Sequence, residues 1–113
     1  MTPRLSTSVL VSALVRKAEA DGGFAAVLAK GDPETGAIVL ILLERGEKMR
    51  ILERLLTPEG RYAWAPSPGQ ISENVCEVPE LVARRRRFDP DLGVLELDVP
   101  SVERFAAEMS AFD

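Results

Sequence analysis

Four consecutive arginines, Arg84 to Arg87, run directly into Phe88-Asp89-Pro90-Asp91, and Glu96 follows shortly after. Two kinds of chemistry use such residues. Guanidinium groups hold phosphate or carboxylate through paired donors in a fixed fork. Carboxylates grouped around a divalent cation activate water in metal-dependent nucleases, with a lysine beside the attacking water.

Charge placement favours a structural role for the arginines. They fall in the last turn of a predicted helix, whose partial negative charge basic side chains offset. A phosphate on a helix prefers the opposite end. Acids then follow at 89, 91, 96, 98, 103, 108 and 113, with only Arg104 to balance them. On a helical wheel Arg85 falls inside the arc of Val78, Leu81 and Val82, Arg87 faces away, and Arg84 and Arg86 lie at the edges. The expectation is a structural joint. Arg85 lies along the core edge and pairs with a carboxylate, Asp89 first and Asp91 or Glu96 next, so the Asp89-Pro90-Asp91 turn is held by the helix it ends. Arg84, Arg86 and Arg87 remain the candidate anion-binding set. As a nuclease the segment is deficient: Asp98 stands where lysine is needed, and no lysine follows Lys48.

Other chemistries lack their residues. Histidine is absent and Cys76 is the only cysteine. Ser-His-Asp and Cys-His systems, a disulfide framework and a cysteine or histidine zinc site are therefore excluded. No metal and no cofactor is expected. Gly31-Asp32-Pro33-Glu34-Thr35-Gly36 and Thr57-Pro58-Glu59-Gly60 are turn chemistry without a phosphate-loop lysine. Tyr62 and Trp64 share one side of a strand beside Arg61, which suits base stacking. In a chain with 5% aromatic residues such a pair more often serves the core or a subunit interface. Cys76 has no evident base or partner thiol and is read as inert.

The elements that must position these residues follow from periodicity. The 113 residues suit a single domain spanning 1–113, with 46% hydrophobic and 28% charged residues. Leu10, Val11, Leu14, Val15 and Ala18 form one stripe of a helix capped by Ser6, Thr7 or Ser8 and ended by Gly22-Gly23. A short strand is expected at 4–7. Residues 24–30 and 37–44 flank an acidic turn and predict a hairpin opening an antiparallel meander through 48–56 and 61–65. Ala37 to Leu43 has no polar residue, which predicts a central strand covered on both faces. Residues 71–77 are expected as a short strand. Pro79 opens a helix to about Arg87, residues 92–99 form a strand, and Ser101 caps an amphipathic helix at about 101–110. Its stripe of Val102, Phe105, Ala106, Met109 and Phe112 must dock on the sheet or on a second subunit. The predicted class is α+β: a mostly antiparallel sheet of about five strands with helices packed on one face.

Val11-Ser12-Ala13, Phe24-Ala25-Ala26-Val27, Gly36-Ala37-Ile38 and Arg87-Phe88-Asp89-Pro90-Asp91-Leu92 also carry a resemblance. Their order resembles a small bacterial family known only as a domain of unknown function, over about residues 9 to 98. Gly93 stands where that family tends to have tryptophan, and Val9-Leu10 where it tends to have an aromatic residue. The resemblance implies the fold and supplies no catalytic residue.

The net charge of −4 provides no long-range field for nucleic acid, which is not an expected partner. The apolar run at 9–15 is too short to span a membrane, and Arg16 and Lys17 interrupt it before the cleavage-like Ala18-Glu19-Ala20, so the chain is read as cytoplasmic. The expected function is that of a small non-enzymatic domain that self-associates as a homo-oligomer or binds a protein partner. Anion or nucleic-acid binding through Arg84, Arg86 and Arg87 is the alternative. A carboxylate-metal hydrolase using Asp89, Asp91 and Glu96 is a weaker one.

Overall fold

The computed structural model describes residues 6–34, 37–66 and 78–109. In chain order these form α1 (Thr7–Ala20), β1 (Phe24–Ala29), β2 (Ile38–Glu44), β3 (Glu47–Leu56), β4 (Tyr62–Pro66), α2 (Val78–Phe88), β5 (Gly93–Val99) and α3 (Val102–Met109). The expected strands at 4–5 and 71–77, and the side chains of Cys76 and Phe112, lie outside the described residues. Ser6 and Thr7 are the cap and first residue of α1 rather than strand.

The fold is α+β, with one five-stranded sheet in the order β1-β5-β2-β3-β4. The sheet is mostly antiparallel; β2 and β5 form its parallel pair. The hairpin expected between 24–30 and 37–44 does not form, because β5 sits between the two strands. The physical reason is burial. β2 and β5 are buried along nearly their whole length and take the central slots, while β1, exposed at most of its positions, is left at the edge. The connection from Ala29 to Ile38 is long enough to step over one strand, roughly 10 Å at two strand spacings. The β2–β3–β4 meander forms as expected. Its first turn uses Arg45 and Gly46, both at positive φ (52° and 80°), as a tight two-residue hairpin requires.

The helices do not all lie on one face, which corrects that part of the expectation. α1 and α3 pack with Ile38, Leu40, Leu42, Leu95, Leu97 and Val99. α2 packs on the opposite face with Val39, Ile41, Ile51 and Val94. A strand apolar on both faces needs cover on both, so β2 itself demanded this arrangement.

Local signals fix the helix ends. The Ser6 hydroxyl accepts from the Val9 N–H at 3.4 Å, and Gly22 leaves α1 at φ 88°. Two side chains cap α3: Ser101 Oγ accepts from the Arg104 N–H at 3.2 Å, and Glu44 Oε1 accepts from the Val102 N–H at 3.1 Å. The second contact ties the end of β2 to the start of α3. Phe105 and Met109 are buried in the sheet cluster, about 1.5–3 kcal/mol of apolar burial each. Among the described residues no helix is long and apolar enough to cross a membrane.

Candidate functional site

The arginine run closes α2, and the helix directs its members apart. Val78, Leu81 and Val82 pack on the sheet, and Arg85 continues that stripe one turn on. Beneath it lies β3, where Glu53 points to the same side as Ile51. The Arg85 guanidinium donates to Glu53 Oε1, forming an ion pair whose carboxylate is 6% exposed. The carboxylate that Arg85 reaches is thus on β3, a partner outside the three expected from the following turn. The missed signal was Glu53 itself, an acid alternating with Ile51 and Leu55 on a strand.

Arg86 reaches the turn. Its Nη2 donates to the Pro90 carbonyl at 2.8 Å and to the Lys30 carbonyl at 3.3 Å, so it spans the end of α2, the turn and the exit of β1. The turn also holds itself. The Asp89 N–H donates to the Arg85 carbonyl at 3.1 Å, and Asp89 Oδ1 accepts from the Asp91 N–H at 3.2 Å. The Asp91 carbonyl accepts from the Asp32 N–H at 3.1 Å. Gly31 lies against this segment so closely that a Cβ there would sit 2.5 Å from the Asp91 carbonyl oxygen. Arg84 and Arg87 are exposed. The structure therefore does not gather Arg84, Arg86 and Arg87 into one cradle.

The carboxylates are similarly dispersed. Asp89 and Asp91 are turn residues, whereas Glu96 is on β5 opposite Ala26. Among the described residues no group of three or more acid or cysteine side chains is placed to share a metal ion. The aromatic pair faces inward. Arg54, 1% exposed, stacks on Tyr62 at 4.1 Å from the ring centre, and Trp64 packs against the larger core cluster. The neighbouring cation is thus Arg54 across the strand pair rather than Arg61, and it covers the ring that a base would need.

A second ionic group joins α1 to α3. Lys17 Nζ donates to Glu108 Oε1 at 2.6 Å and to Asp21 Oδ2 at 3.1 Å, and lies 5.2 Å from the centre of the Phe105 ring. The hydrogen bond to Glu108 raises the Lys17 pKa above its ordinary value, against the opposing effect of burial. The same bond holds the Glu108 carboxyl below the usual carboxylate range.

Two concavities flank β1. A cavity of about 310 Å³ lies between the start of α1 and the β1–β5 pair, lined by Thr7, Ser12, Val27 and Leu95 among others. The first N–H groups of α1 are already bonded: Thr7 to the Glu34 carbonyl, Ser8 to the Pro33 carbonyl and Val9 to Ser6 Oγ. They offer no anion cradle. On the other face a shallower groove of about 540 Å³ lies between β1, β5 and α2, with Arg86 and Glu96 among its lining residues. Between the two runs β1 itself, Phe-Ala-Ala-Val-Leu-Ala, the terminal strand of the sheet among the described residues. Phe24 is 76% exposed, Val27 53% and Leu28 40%. Sequence reasoning missed this edge by pairing β1 with β2.

Comparison with known proteins adds fold and family. A crystal structure of a DUF1491 family protein from Caulobacter crescentus CB15 is 31% identical, with a TM-score of 0.76 over 90% of this chain and 94% of that one. An NMR structure of a DUF1491 family protein from the same organism gives 30% identity and a TM-score of 0.77 over 92% and 94%. The solution structure of protein Atu0922 from A. tumefaciens gives 28% identity and 0.73 over 91% and 92%. No curated protein matches. The family model described as "Protein of unknown function (DUF1491)" matches residues 5–107, which take in the described sheet, α1, α2 and most of α3, and the chain belongs to that family.

Proposed function

We propose that this chain is a small non-enzymatic protein-interaction domain whose working surface is the open edge of β1. One observation carries this. Edge strands in soluble proteins are normally blunted by charge, proline or cover, because their unpaired backbone groups template further pairing. β1 has no charged residue from Phe24 to Ala29, and it exposes three large apolar side chains. Its one irregularity, between Val27 and Ala29, lies at its far end. Such an edge suits the addition of an extended strand, with main-chain hydrogen bonds giving affinity and side chains giving selectivity. Anion binding at Arg84, Arg86 and Arg87 has less support, since Arg86 already donates to two carbonyls.

Amide hydrogen exchange tests the proposal in three samples: dilute protein, concentrated protein, and dilute protein with a synthetic peptide of residues 22–31. The β1 amides pointing away from β5 are expected to slow in the second and third samples. Val27→Lys is expected to abolish the slowing while changing stability by less than about 0.5 kcal/mol. Equal β1 exchange in all three samples would overturn it.

A further inference from the structure

We infer that the occupant of the β1 edge is a second copy of the chain, paired antiparallel about a two-fold axis through Ala26, with Phe24 of each copy seated over the α2 groove of the other. This rests on β1 being the interaction edge and goes further by naming the partner and the register.

The alternation of the sheet restricts the register to axes through a residue, and the seating of Phe24 selects among them. Ala25 packs with the α1–α3 cluster, and Val27 lines the cavity beside α1, so both point to that face. Ala26 pairs with Glu96 and Phe24 with Asp98, placing both on the α2 face, where Leu28 lines the groove. Residues directly opposite in an antiparallel pair point to the same face. Up to Leu28, ahead of the irregularity that turns Ala29 to the α2 face with Val94, two copies of β1 can therefore pair only even-numbered positions with even and odd with odd. Centring the axis on Ala26 satisfies this for every residue from 24 to 28. Phe24 then faces Leu28 of the second copy, Ala25 faces Val27, and Ala26 faces itself.

The same arrangement matches a knob to a hole. Phe24 is the most exposed of the large apolar residues of β1 and lies on the α2 face. The groove of about 540 Å³ opens beside Leu28 on that face and is lined by Val78, Pro79, Val82 and Ala83. Pairing Phe24 with Leu28 brings the ring of one copy to the groove of the other, and the two-fold axis repeats the contact. Both halves of the contact are present in one chain, as a self-complementary interface requires. No charge lies on either strand, so the pairing brings no like charges into opposition.

The test uses the full chain in a Cys76→Ser background. Light scattering is expected to give twice the chain mass, and Phe24→Ala to weaken the dimer at least about tenfold. A single cysteine placed by Ala26→Cys is expected to oxidise rapidly to a covalent dimer. Directly opposite Cα atoms lie about 4.5–5.5 Å apart, within disulfide range. Ala25→Cys and Val27→Cys are expected to oxidise slowly, because each then meets itself only diagonally, at about 7–8 Å. A dimer that cross-links equally well through 25 or 27 overturns the register. Monomeric mass up to about 1 mM protein, the weak end of specific association, overturns the second-copy occupant. If the 22–31 peptide still slows β1 exchange in that case, the interaction edge survives; if not, it falls too.

Discussion

On one face of the sheet two helices meet Ile38, Leu40 and Leu42 with Leu10, Leu14, Phe105 and Met109; on the other, a single helix brings Val78 with the half-buried Leu81 and Val82. The first face is fastened mainly by apolar volume; the one charge buried on it among the described residues, Arg54, is stacked on Tyr62, and the ionic group of Lys17, Asp21 and Glu108 sits at the margin. The second is fastened partly by charge, since Glu53 is buried beneath α2 and Arg85 is brought to it. Apolar packing is stabilising by itself, whereas a buried ion pair costs desolvation on both sides and mainly penalises its own disruption. The two faces should therefore fail differently.

Phe105→Ala should have the largest effect. It empties a fully buried aromatic site at the centre of the two-helix face, and about 3–5 kcal/mol is expected from urea unfolding. Phe105→Leu provides a gentler version if the alanine variant does not fold. A loss below about 1 kcal/mol would mean that this face is not the better packed one.

Glu53 and Arg85 give the next effect. Arg85→Ala leaves a buried carboxylate unpaired, and about 2–3 kcal/mol is expected, below the range for fully enclosed pairs because the Arg85 side chain is 29% exposed. Arg87→Ala, at an exposed position, should change stability by less than about 0.5 kcal/mol. Replacing both Glu53 and Arg85 by leucine should recover most of the loss. Equal melting temperatures for Arg85→Ala and Arg87→Ala would remove the distinction between the faces.

The smallest effect concerns the margin of the two-helix face. The Glu108 pKa is depressed below the ordinary 4.5 by the Lys17 hydrogen bond. A depressed carboxylate contributes stability above its unfolded pKa and loses it as pH falls through the folded value. Lys17, raised above 10.5, contributes below that value and loses it as pH rises through its folded one. Wild type should therefore melt slightly above Glu108→Gln at neutral pH, and the gap should close as pH falls below about 4. A gap unchanged down to about pH 2 would show that the ion pair is not its source.

Much of this was legible where the signal is local. The stripes of α1 and α3, the Ser6 and Ser101 caps and the all-apolar β2 each declare their element within a dozen residues. The direction of Arg85 was legible too, because a helix fixes angles between near neighbours. Its partner was not: Glu53 is 32 residues away in sequence, and only the packing of α2 across β3 brings them together. The order β1-β5-β2 was hidden for the same reason. A Gly/Asp/Pro turn between two apolar runs is strong local evidence for a hairpin, and competition for central slots is decided only when β5 is included. The expectation of helices on one face overlooked what β2 already required, cover on both sides.

The insertion of β5 between β1 and β2 also governs when the molecule can fold. During synthesis β1, β2, β3 and β4 all precede β5, so β1 emerges with its native partner still unmade. The β2–β3–β4 meander has its pairings at hand and can form early, since closing short loops costs little entropy. Completion waits for residues 93–99, which must enter between two strands already present, one of them, β1, some seventy positions back along the chain. Contacts of such sequence separation slow folding and prolong the exposure of apolar strands. Until β5 arrives, the β2 edge that it will occupy is an uncovered row of isoleucine and leucine, and the nascent chain is most vulnerable to mispairing in the interval before its last third is made.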